Sequence, residues 1–393
     1  MEVKPGYKLT EVGVIPDDWN PDYIEDFAVI TTGSKNTQDR VEDGQYPFFV
    51  RSQTVERINS YSFDGEAVLT AGDGVGTGKV FHYINGRFDV HQRVYRISNF
   101  AEYVNGYFFY LYFSTHFYNR IMQMTAKSSV DSVRRDMISR MQVALPPTEA
   151  EQRVIAEALS DVDALLGSLD RLIAKKRDLK QAAMQQLLTG QTRLPGFHGE
   201  WEVKRLGELA TIKDGTHQTP KYVQAGIPFY SVEHVTSGDF TNTKFISEEE
   251  HKFLTRTAKI EKGDILMTRI GSIGDCKLID WDVDASFYVS LALLKIRSGY
   301  SAAFIVHYSN TAAFKIEIEL HSLQSAIPKK INLGPISNVK IELPPTLAEQ
   351  TAIAEVLTDM DAELAALEQR REKTRFLKQG MMQELLTGKT RLL

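Results

Sequence analysis

A glycine-rich stretch at residues 72–79 comes nearest in this chain to a nucleotide-binding motif, with the sequence Gly-Asp-Gly-Val-Gly-Thr-Gly-Lys. A phosphate-binding loop requires a glycine five residues before its Gly-Lys pair and a serine or threonine after the lysine. Asp73 and Val80 stand at those two positions. A dinucleotide fingerprint fails too, because Lys79 occupies the place of its third glycine. The stretch therefore predicts a tight turn whose glycines let the backbone approach another group, such as a phosphate, closely.

The histidines give no stronger indication of catalysis or metal binding. None of the nine histidines lies in a His-Glu-x-x-His arrangement. His217 and His234 could contact a metal, but we interpret them as surface side chains or as side chains that face a nucleic acid. Glu250-His251-Lys252 matches only the end of a nuclease motif, in a charge run typical of a solvated surface. The Asn/Asp-Pro-Pro-Tyr/Phe motif of adenine methyltransferases is missing. The sequence therefore predicts no catalytic, cofactor-binding or metal-binding residue in this chain.

Length and composition restrict the class of protein. A chain of 393 residues exceeds one ordinary domain. It has 46 Lys and Arg against 51 Asp and Glu, which excludes a strongly basic protein that coats DNA but not one that docks through local basic patches. Cys276 is the only cysteine, which excludes a disulfide framework. The sequence lacks both a run of about 18 apolar residues and a secretory signal, so we expect a cytoplasmic protein without a membrane span.

The chain contains a tandem repeat. Residues 145–194 recur at 343–392, offset by 198 residues without a gap, and about 30 of the 50 positions are identical. Both copies open Leu-Pro-Pro-Thr-x-x-Glu-Gln and close Leu-Leu-Thr-Gly-x-Thr-Arg-Leu. Such agreement indicates two copies of one structural element.

Each copy predicts one long helix. The Pro-Pro pair ends the preceding element, and Thr148 with Glu151, like Thr346 with Glu349, fits a capping box. Apolar residues then alternate at spacings of four and three, which is the heptad pattern of a coiled coil. They are Ile155, Leu159, Val162, Leu166, Leu169 and Ile173 in the first copy, and Ile353, Leu357, Met360, Leu364 and Leu367 in the second. We expect two helices of roughly 60 Å, each ended by a glycine, that pack on each other.

The segments outside the helices are related more faintly. Pro47-Phe48-Phe49 corresponds to Pro228-Phe229-Tyr230, and Gly65 precedes Gly263 by 198 residues. Short apolar runs broken by Gly and Asp predict strands mixed with shorter helices. We therefore expect an α/β, more narrowly α+β, fold with pseudo-twofold repeats. Its four segments are globule 1 at 1–144, a long helix with its linker at 145–197, globule 2 at 198–342 and the second long helix at 343–393.

Two diverged globules separated by near-identical helices resemble the specificity subunits of type I restriction-modification enzymes. The resemblance covers the whole chain, and its most specific elements are the helix openings and the Leu-Leu-Thr-Gly closures. In globule 2, residues 214–220 and 263–269 are also similar to the target recognition domains of that family. Globule 1 departs from the pattern, because Gly-Ser-Lys-Asn-Thr at 33–37 stands where globule 2 has Gly-Thr-His-Gln-Thr at 215–219.

The resemblance implies sequence-specific DNA recognition and no enzyme activity in the chain itself. Each globule would read one half of a bipartite site in double-stranded DNA. The two antiparallel helices would set the spacing and dock two methyltransferase subunits, which use S-adenosylmethionine to methylate adenine. Two restriction subunits would bring ATP, Mg²⁺ and endonuclease activity. This chain would hold none of these cofactors.

Candidate DNA contacts are side chains that can bind base edges or phosphates and that lie in loops or at strand ends. In globule 1 they are Lys35, Asn36, Gln38, Arg51, Gln53, Arg93, Lys127, Ser128, Arg134 and Arg135. In globule 2 they are Thr216, His217, Gln218, Lys221, Glu233, His234, Arg269, Gln324, Lys329 and Lys330. The segments 51–53 and 232–234 follow the shared Pro-Phe-aromatic motif, so we expect the two globules to differ there if they read different bases.

Two further expectations remain open at the level of sequence. A non-catalytic coiled-coil adaptor with two ligand-binding globules would fit the same architecture. The first helix runs through residues 195–197 to Trp201, and joining the chain ends would rebuild this connection ahead of Trp19. We therefore expect the two ends of the chain to lie close together.

Overall fold

The structure is a computed structural model that describes residues 4–124 and 132–392. Its α-helices are α1 Ile24–Phe27, α2 Gly106–Met124, α3 Arg135–Ser139, α4 Glu149–Leu187, α5 Leu206–Leu209, α6 Val232–Ser237, α7 Glu248–Leu254, α8 Ala302–Tyr308, α9 Ala312–His321, α10 Leu333–Asn338 and α11 Leu347–Leu385. Its strands are β1 Tyr7–Thr10, β2 Gly13–Pro16, β3 Asn20–Tyr23, β4 Val29–Thr32, β5 Tyr46–Phe49, β6 Glu56–Ile58, β7 Phe63–Ala71, β8 Phe81–Val90, β9 Val94–Ser98, β10 Gln142–Leu145, β11 Glu202–Arg205, β12 Ala210–Asp214, β13 Ile227–Tyr230, β14 Lys244–Ile246, β15 Ile265–Ile270, β16 Ser272–Leu278, β17 Ser286–Phe287, β18 Leu291–Ile296 and β19 Lys340–Leu343.

The chain divides into two compact units. Unit 1 comprises Met1–Asp170 with Gln369–Leu393, and unit 2 comprises Arg171–Glu368. The division falls inside α4 and α11, so each unit contains one globule and a part of both long helices.

The two predicted long helices are confirmed as α4 and α11, each 39 residues long. The hydroxyl of Thr148 accepts a hydrogen bond from the Glu151 backbone N–H at 3.2 Å, and Thr346 does the same with Glu349 at 3.3 Å. The threonine half of each predicted capping box is therefore present. The glutamate half is not, because both carboxylates pair with arginines instead. A glycine in the left-handed conformation, with φ of 68°, follows each helix.

Within each unit the two helices are antiparallel, as the resemblance implies. In unit 1, Asp163 pairs with Lys378 at 2.7 Å and Asp170 pairs with Arg371 at 3.2 Å, so positions rise on α4 as they fall on α11. In unit 2, Lys176 pairs with Glu363 at 2.6 Å and Lys180 pairs with Asp361, so the direction is the same. Part of the apolar seam is buried, including Leu159, Leu169 and Leu364, and Leu159 packs in one core with the end of α11.

Unit 1 contains a six-stranded sheet in the order β4-β9-β7-β8-β5-β6. The β5–β8 pair is parallel and the others are antiparallel. The ten-residue strand β8 belongs to both halves of this sheet, because it pairs with β7 along most of its length and with β5 at its end. Helix α2 covers the sheet with an apolar core that includes Phe108, Phe113 and Phe117, all fully buried.

Unit 2 repeats this topology with two breaks. The two sheets that correspond to it have the orders β12-β18-β15-β16 and β14-β13-β17, with β13 and β17 parallel. Strands β16 and β17 together replace β8, and helices α8 and α9 together replace α2. The predicted mixed fold with tandem repeats is therefore confirmed, including the equivalence of the two Pro-Phe-aromatic strands β5 and β13.

The described ends of unit 1 meet as expected. The Tyr7 hydroxyl donates to the Gly388 carbonyl at 3.3 Å. A Cβ added at Gly388 would lie 3.1 Å from Trp19, and one added at Gly190 would lie 3.1 Å from Trp201 in unit 2. Each glycine therefore lets the end of a long helix pack closely on an equivalent tryptophan.

Candidate nucleic-acid interface

The Glu-Gln pair of each helix opening fastens the helix to its globule. The Gln152 side chain accepts from the Asn105 backbone N–H at 2.8 Å, and Gln350 accepts from the Ser301 N–H at 2.9 Å. Each glutamine also donates to the carbonyl of the first proline of its own opening, at 3.3 Å and 3.0 Å. These buried amides explain why the motif recurs in both copies.

The neighbouring glutamates bind the arginine of the closing Thr-Arg-Leu segment. Glu151, 2% exposed, accepts from Arg391 at 2.7 Å in unit 1. Glu349, fully buried, pairs with Arg193 in unit 2. A buried carboxylate requires a partner of opposite charge, so the opening and the closing segments must be kept together.

Unit 1 brings two of the predicted DNA contacts together on one carboxylate. Asp73 binds Arg51 at 2.8 Å and Arg93 at 2.7 Å. Partial burial raises the pKa of Asp73, but the hydrogen bonds and charges of both arginines outweigh this and hold it below its usual range. The arginine side chains stay 44% and 61% exposed. Asp73 thus presents two guanidinium groups side by side at the base of the glycine turn.

Backbone hydrogen bonds gather further loops around this pair. The Lys35 carbonyl accepts from the Gln92 N–H at 2.8 Å, and the Gly72 carbonyl accepts from the Val133 N–H at 2.7 Å. The Asn36 side chain accepts a hydrogen bond from the Gln92 amide. We call these segments loop cluster 1, defined as residues 33–36, 50–53, 72–80, 91–93 and 132–135.

The other predicted contacts of globule 1 are placed less specifically. Gln38, Gln53, Arg134 and Arg135 are exposed. Lys127 and Ser128 lie outside the described residues.

The predicted tight turn is confirmed, because Gly74 and Gly78 have φ of 81° and 67°. No nucleotide site is needed to explain these glycines.

Unit 2 builds a similar arrangement around Asp214. This carboxylate accepts from Arg269 at 3.2 Å and contacts His217 at 2.8 Å. The Arg269 side chain is only 4% exposed and also donates to the Val289 carbonyl at 2.8 Å. The expectation that Arg269 contacts DNA is therefore corrected, since its guanidinium braces the loops from inside. His217 is exposed beside it.

The segment before α10 is hydrogen-bonded to the end of β15, which carries Arg269. The Gly271 N–H donates to the Lys329 carbonyl at 2.8 Å, and the Ile331 N–H donates to the Arg269 carbonyl at 3.0 Å. The Lys329 ammonium binds Glu319 at 2.8 Å, and the Gln324 amide donates to the carbonyl of the same glutamate at 2.8 Å. Lys329 and Gln324 are exposed, and Lys330 is half-buried. We call this loop cluster 2, defined as residues 214–218, 269–272, 288–290 and 322–331.

His234 is placed differently from the prediction. The segment that follows β13 folds into α6, and the His234 ring accepts a hydrogen bond from the Ser231 backbone N–H at 2.9 Å, which caps that helix. His234 is 6% exposed and its ring supports α6, so it lies inside the globule where an exposed side chain was expected. Glu233, on the same helix, is exposed, as are Lys221 and Gln218. Thr216 is half-buried and donates to the Gln218 carbonyl at 3.2 Å.

The sequence reasoning missed the carboxylates that hold the basic side chains. Asp73, Asp214 and Glu319 each bind a residue chosen as a DNA contact. Asp214 opens a segment that resembles the family, but nothing local shows that it meets Arg269, which lies 55 positions away.

Residues 4–124 and 132–392 contain neither a metal-binding cluster nor a membrane-spanning helix. No group of three or more His, Cys, Asp or Glu there is arranged to hold a metal ion. No helix in the same part of the chain is both long and apolar enough to cross a membrane.

Comparison with known proteins identifies the family. The model of the type I restriction modification DNA specificity domain matches residues 16–175 and again 198–374. The MjaVIII specificity subunit of Methanocaldococcus jannaschii, a type I restriction enzyme subunit, is 24% identical, over 96% of this chain and 94% of that protein.

Two solved structures share the fold. The S subunit of a type I restriction-modification system from M. genitalium has a TM-score of 0.66 at 16% identity, over 97% of this chain and 98% of that one. A chain from a type I restriction-modification system, studied for complex assembly and conformational transition, has a TM-score of 0.55 at 17% identity, covering 96% and 99%.

The two family matches coincide with the two repeats, and together they span most of the chain. In type I systems the specificity subunit is non-catalytic, and the activities lie in the methyltransferase and restriction subunits. This agrees with the sequence-based expectation of no enzyme activity and leaves the general adaptor without support. The chain belongs to the type I restriction-modification DNA specificity family and is a non-catalytic subunit for DNA recognition.

Proposed function

We propose that each unit reads one half of a bipartite site in double-stranded DNA, unit 1 through loop cluster 1 and unit 2 through loop cluster 2. One observation carries this proposal. Both clusters are built mainly from equivalent loops of the repeated fold, and each holds basic side chains against a carboxylate. Loops positioned by a rigid scaffold are the usual place for binding residues.

Arg51 and Arg93 are the central proposed contacts of unit 1. Both are exposed, and arginine binds guanine or phosphate with two parallel hydrogen bonds. The Asp73 carboxylate orients both guanidinium groups. A ligand must therefore offer them better hydrogen bonds than this carboxylate does. The other proposed contacts of unit 1 are Lys35, Asn36, Gln38, Gln53, Lys127, Ser128, Arg134 and Arg135.

In unit 2 the proposed contacts are the exposed or half-buried members of the predicted set. They are Thr216, His217, Gln218, Lys221, Glu233, Gln324, Lys329 and Lys330. Arg269 and His234 act as positioning residues, because the former braces the loops around Asp214 and the latter caps the helix that carries Glu233.

Duplexes with one half-site randomised test the assignment. Wild-type protein should lose affinity when either half is randomised. The Arg51→Ala variant should tolerate randomisation of one half better than wild type and keep its full sensitivity to the other half. Equal loss of sensitivity to both halves would rule out one unit per half-site.

We also propose that two methyltransferase subunits dock on the helices, one on each unit. In unit 2, α4 exposes Leu172 and Leu179, seven residues apart and 39% and 46% exposed. In unit 1, α11 exposes Phe376 and Leu377, 71% and 60% exposed. Leu172 and Leu179 share one face of α4, and large exposed apolar side chains on a helix fit a partner surface better than water.

The remaining parts of the proposed assembly lie outside this chain. S-adenosylmethionine would be bound by the methyltransferase subunits, and ATP and Mg²⁺ by two restriction subunits. One structural relative comes from a study of type I complex assembly, which supports the existence of such partners. We place the assembly in the cytoplasm, where its DNA would be.

Native mass spectrometry at saturating methyltransferase tests the docking. We expect two copies on the wild-type chain, and one copy when Leu172 and Leu179 are both changed to Asp. Phe376→Asp should remove the other copy. A single copy on the wild-type chain would contradict the proposal.

A further inference from the structure

Each unit exposes one apolar side chain completely. Among the described residues, Val75 in unit 1 and Ile327 in unit 2 are both 99% exposed, whereas the next large apolar side chains, Leu9 and Phe376, are both 71% exposed. A valine or isoleucine stabilises a fold by burial, so neither side chain contributes to folding in this way. Both belong to a loop cluster defined above.

Val75 stands on a turn with a fixed conformation. The carbonyl of Gly74, whose φ is 81°, accepts from the Thr77 N–H at 3.0 Å and from the Thr77 hydroxyl at 2.6 Å. On the preceding side, Asp73 is held by Arg51 and by a second arginine. The valine is therefore presented at a defined position beside two guanidinium groups.

Ile327 is carried by a closed loop. The Leu323 N–H donates to the Lys330 carbonyl at 2.8 Å, which joins the two ends of the loop. Lys329 is bound to Glu319 through its side chain and to Gly271 through its carbonyl. Two lysines thus follow the exposed isoleucine within three positions.

The two apolar tips occupy the same corner of the repeated fold. In unit 1, Asp73 on the β7–β8 turn forms a bridge with Ser132, on the segment before α3. In unit 2, Ile270 beside the β15–β16 turn forms a bridge with Lys330, on the segment before α10. The β15–β16 turn contains a single residue, Gly271, so in unit 2 the adjoining loop supplies the tip.

We propose that Val75 and Ile327 are specificity-determining residues that each contact the C5-methyl group of a thymine, one in each half-site. The inference rests on the proposed reading of one half-site by each unit. The basic side chains beside each tip match the charge of the DNA backbone. The thymine methyl is the apolar group that the major groove displays, and apolar side chains read it there.

Deoxyuridine provides the direct test, because it differs from thymidine only by that methyl group. The full chain with its methyltransferase partner is titrated with duplexes that contain its recognition sequence, each thymine being replaced in turn. For the wild type, we expect one position in each half-site to weaken binding about fourfold, the value for one buried methyl group.

The variants then assign each position to a residue. Val75→Ala should remove the sensitivity to deoxyuridine in one half-site, and Ile327→Ala in the other. Leu9→Ala and Phe253→Ala, which remove other exposed apolar side chains, should leave both sensitivities intact. Val75→Ala and Ile327→Ala should also leave the salt dependence unchanged, whereas Lys329→Ala should reduce its slope by about one.

The outcomes separate this inference from the function on which it rests. Undiminished deoxyuridine sensitivity in both tip variants, with site-specific binding intact, would overturn the inference alone. 2-Aminopurine placed next to a tip reports base unstacking through its fluorescence. Unstacked bases there would show that the apolar side chain inserts between bases and does not contact a methyl group, and this result would also overturn the inference. Loss of sensitivity in both half-sites from one substitution would overturn the assignment of one unit per half-site.

Discussion

In unit 1 the chain leaves strand β5 as an open loop, whereas in unit 2 it leaves the equivalent strand β13 directly into helix α6. Ser231 and His234 cap this helix, and Gly238 ends it with a φ of 74°. Gln53 is therefore exposed while His234, at the corresponding position, is buried. Equivalent positions in the repeat have different roles where the loops leave the sheet.

The units agree closely where the long helices join the globules. Gln152 and Gln350 make the same pair of hydrogen bonds, and Glu151 and Glu349 each bind the arginine of a closing segment. The difference between this junction and the loop clusters fits a common scaffold that carries two readers of different sequences.

The largest expected effect tests the shared junction. Arg193→Ala in unit 2 leaves Glu349 buried without its cation, and Arg391→Ala does the same to Glu151 in unit 1. We expect each substitution to lower the free energy of unfolding by about 3 kcal/mol, as measured by urea denaturation.

Arg153→Ala is the matched control, because it removes an exposed arginine from the pair with Glu149 on α4. It should cost less than about 1 kcal/mol. A large loss from Arg193→Ala with no loss from Arg391→Ala would show that the two junctions are not equivalent.

The next effect separates positioning from contact. Arg269→Ala leaves the partly buried Val289 carbonyl without its arginine donor and takes the buried cation away from Asp214, and we expect a loss of about 2 kcal/mol in unfolding free energy. Arg51→Ala removes a half-exposed side chain, so it should change stability by less than about 1 kcal/mol while it weakens DNA binding. A variant pair with the opposite pattern would reverse the assignment of the two arginines.

Acid should affect unit 1 more strongly than unit 2. Burial lowers the pKa of His82, His91 and His116 in unit 1, and of His307 in unit 2. As the pH falls, a histidine of the unfolded chain binds a proton near pH 6.5, whereas these folded histidines bind one only at a lower pH. Stability is therefore lost as the pH falls below about 6.5. Hydrogen exchange at pH 7.5 and 5.5, corrected for intrinsic rates, should show the greater loss of protection in unit 1, and equal losses would refute this.

A circular permutant should show the smallest effect. The chain is opened near Gly196, and its ends are joined by a short linker across the Tyr7–Gly388 contact. Because the junction with Trp19 matches that with Trp201, the permutant should keep the parental DNA specificity. Altered recognition by a permutant that folds and binds its partners would contradict the equivalence of the junctions.

The sequence predicts the scaffold well because the scaffold depends on local signals. Pro-Pro pairs, Thr148 and Thr346, the heptads and the two closing glycines are enough to define both helices, and the repeat indicates that they are partners. The loop clusters are less predictable, because the burial of Arg269 depends on Asp214, 55 positions away. His234 is an exception, since its cap partner Ser231 lies three residues before it and could have been noticed.

Methylome sequencing of cells that carry the assembled enzyme tests the central claim most directly. The wild type is compared with Gln53→Ala in unit 1 and Gln218→Ala in unit 2, both exposed side chains in the loop clusters. Removal of one hydrogen-bonded reader of a base should cost about 1–3 kcal/mol of discrimination. Our account predicts that Gln53→Ala relaxes one half of the methylated sequence and Gln218→Ala the other. Relaxation of both halves by either substitution would contradict it.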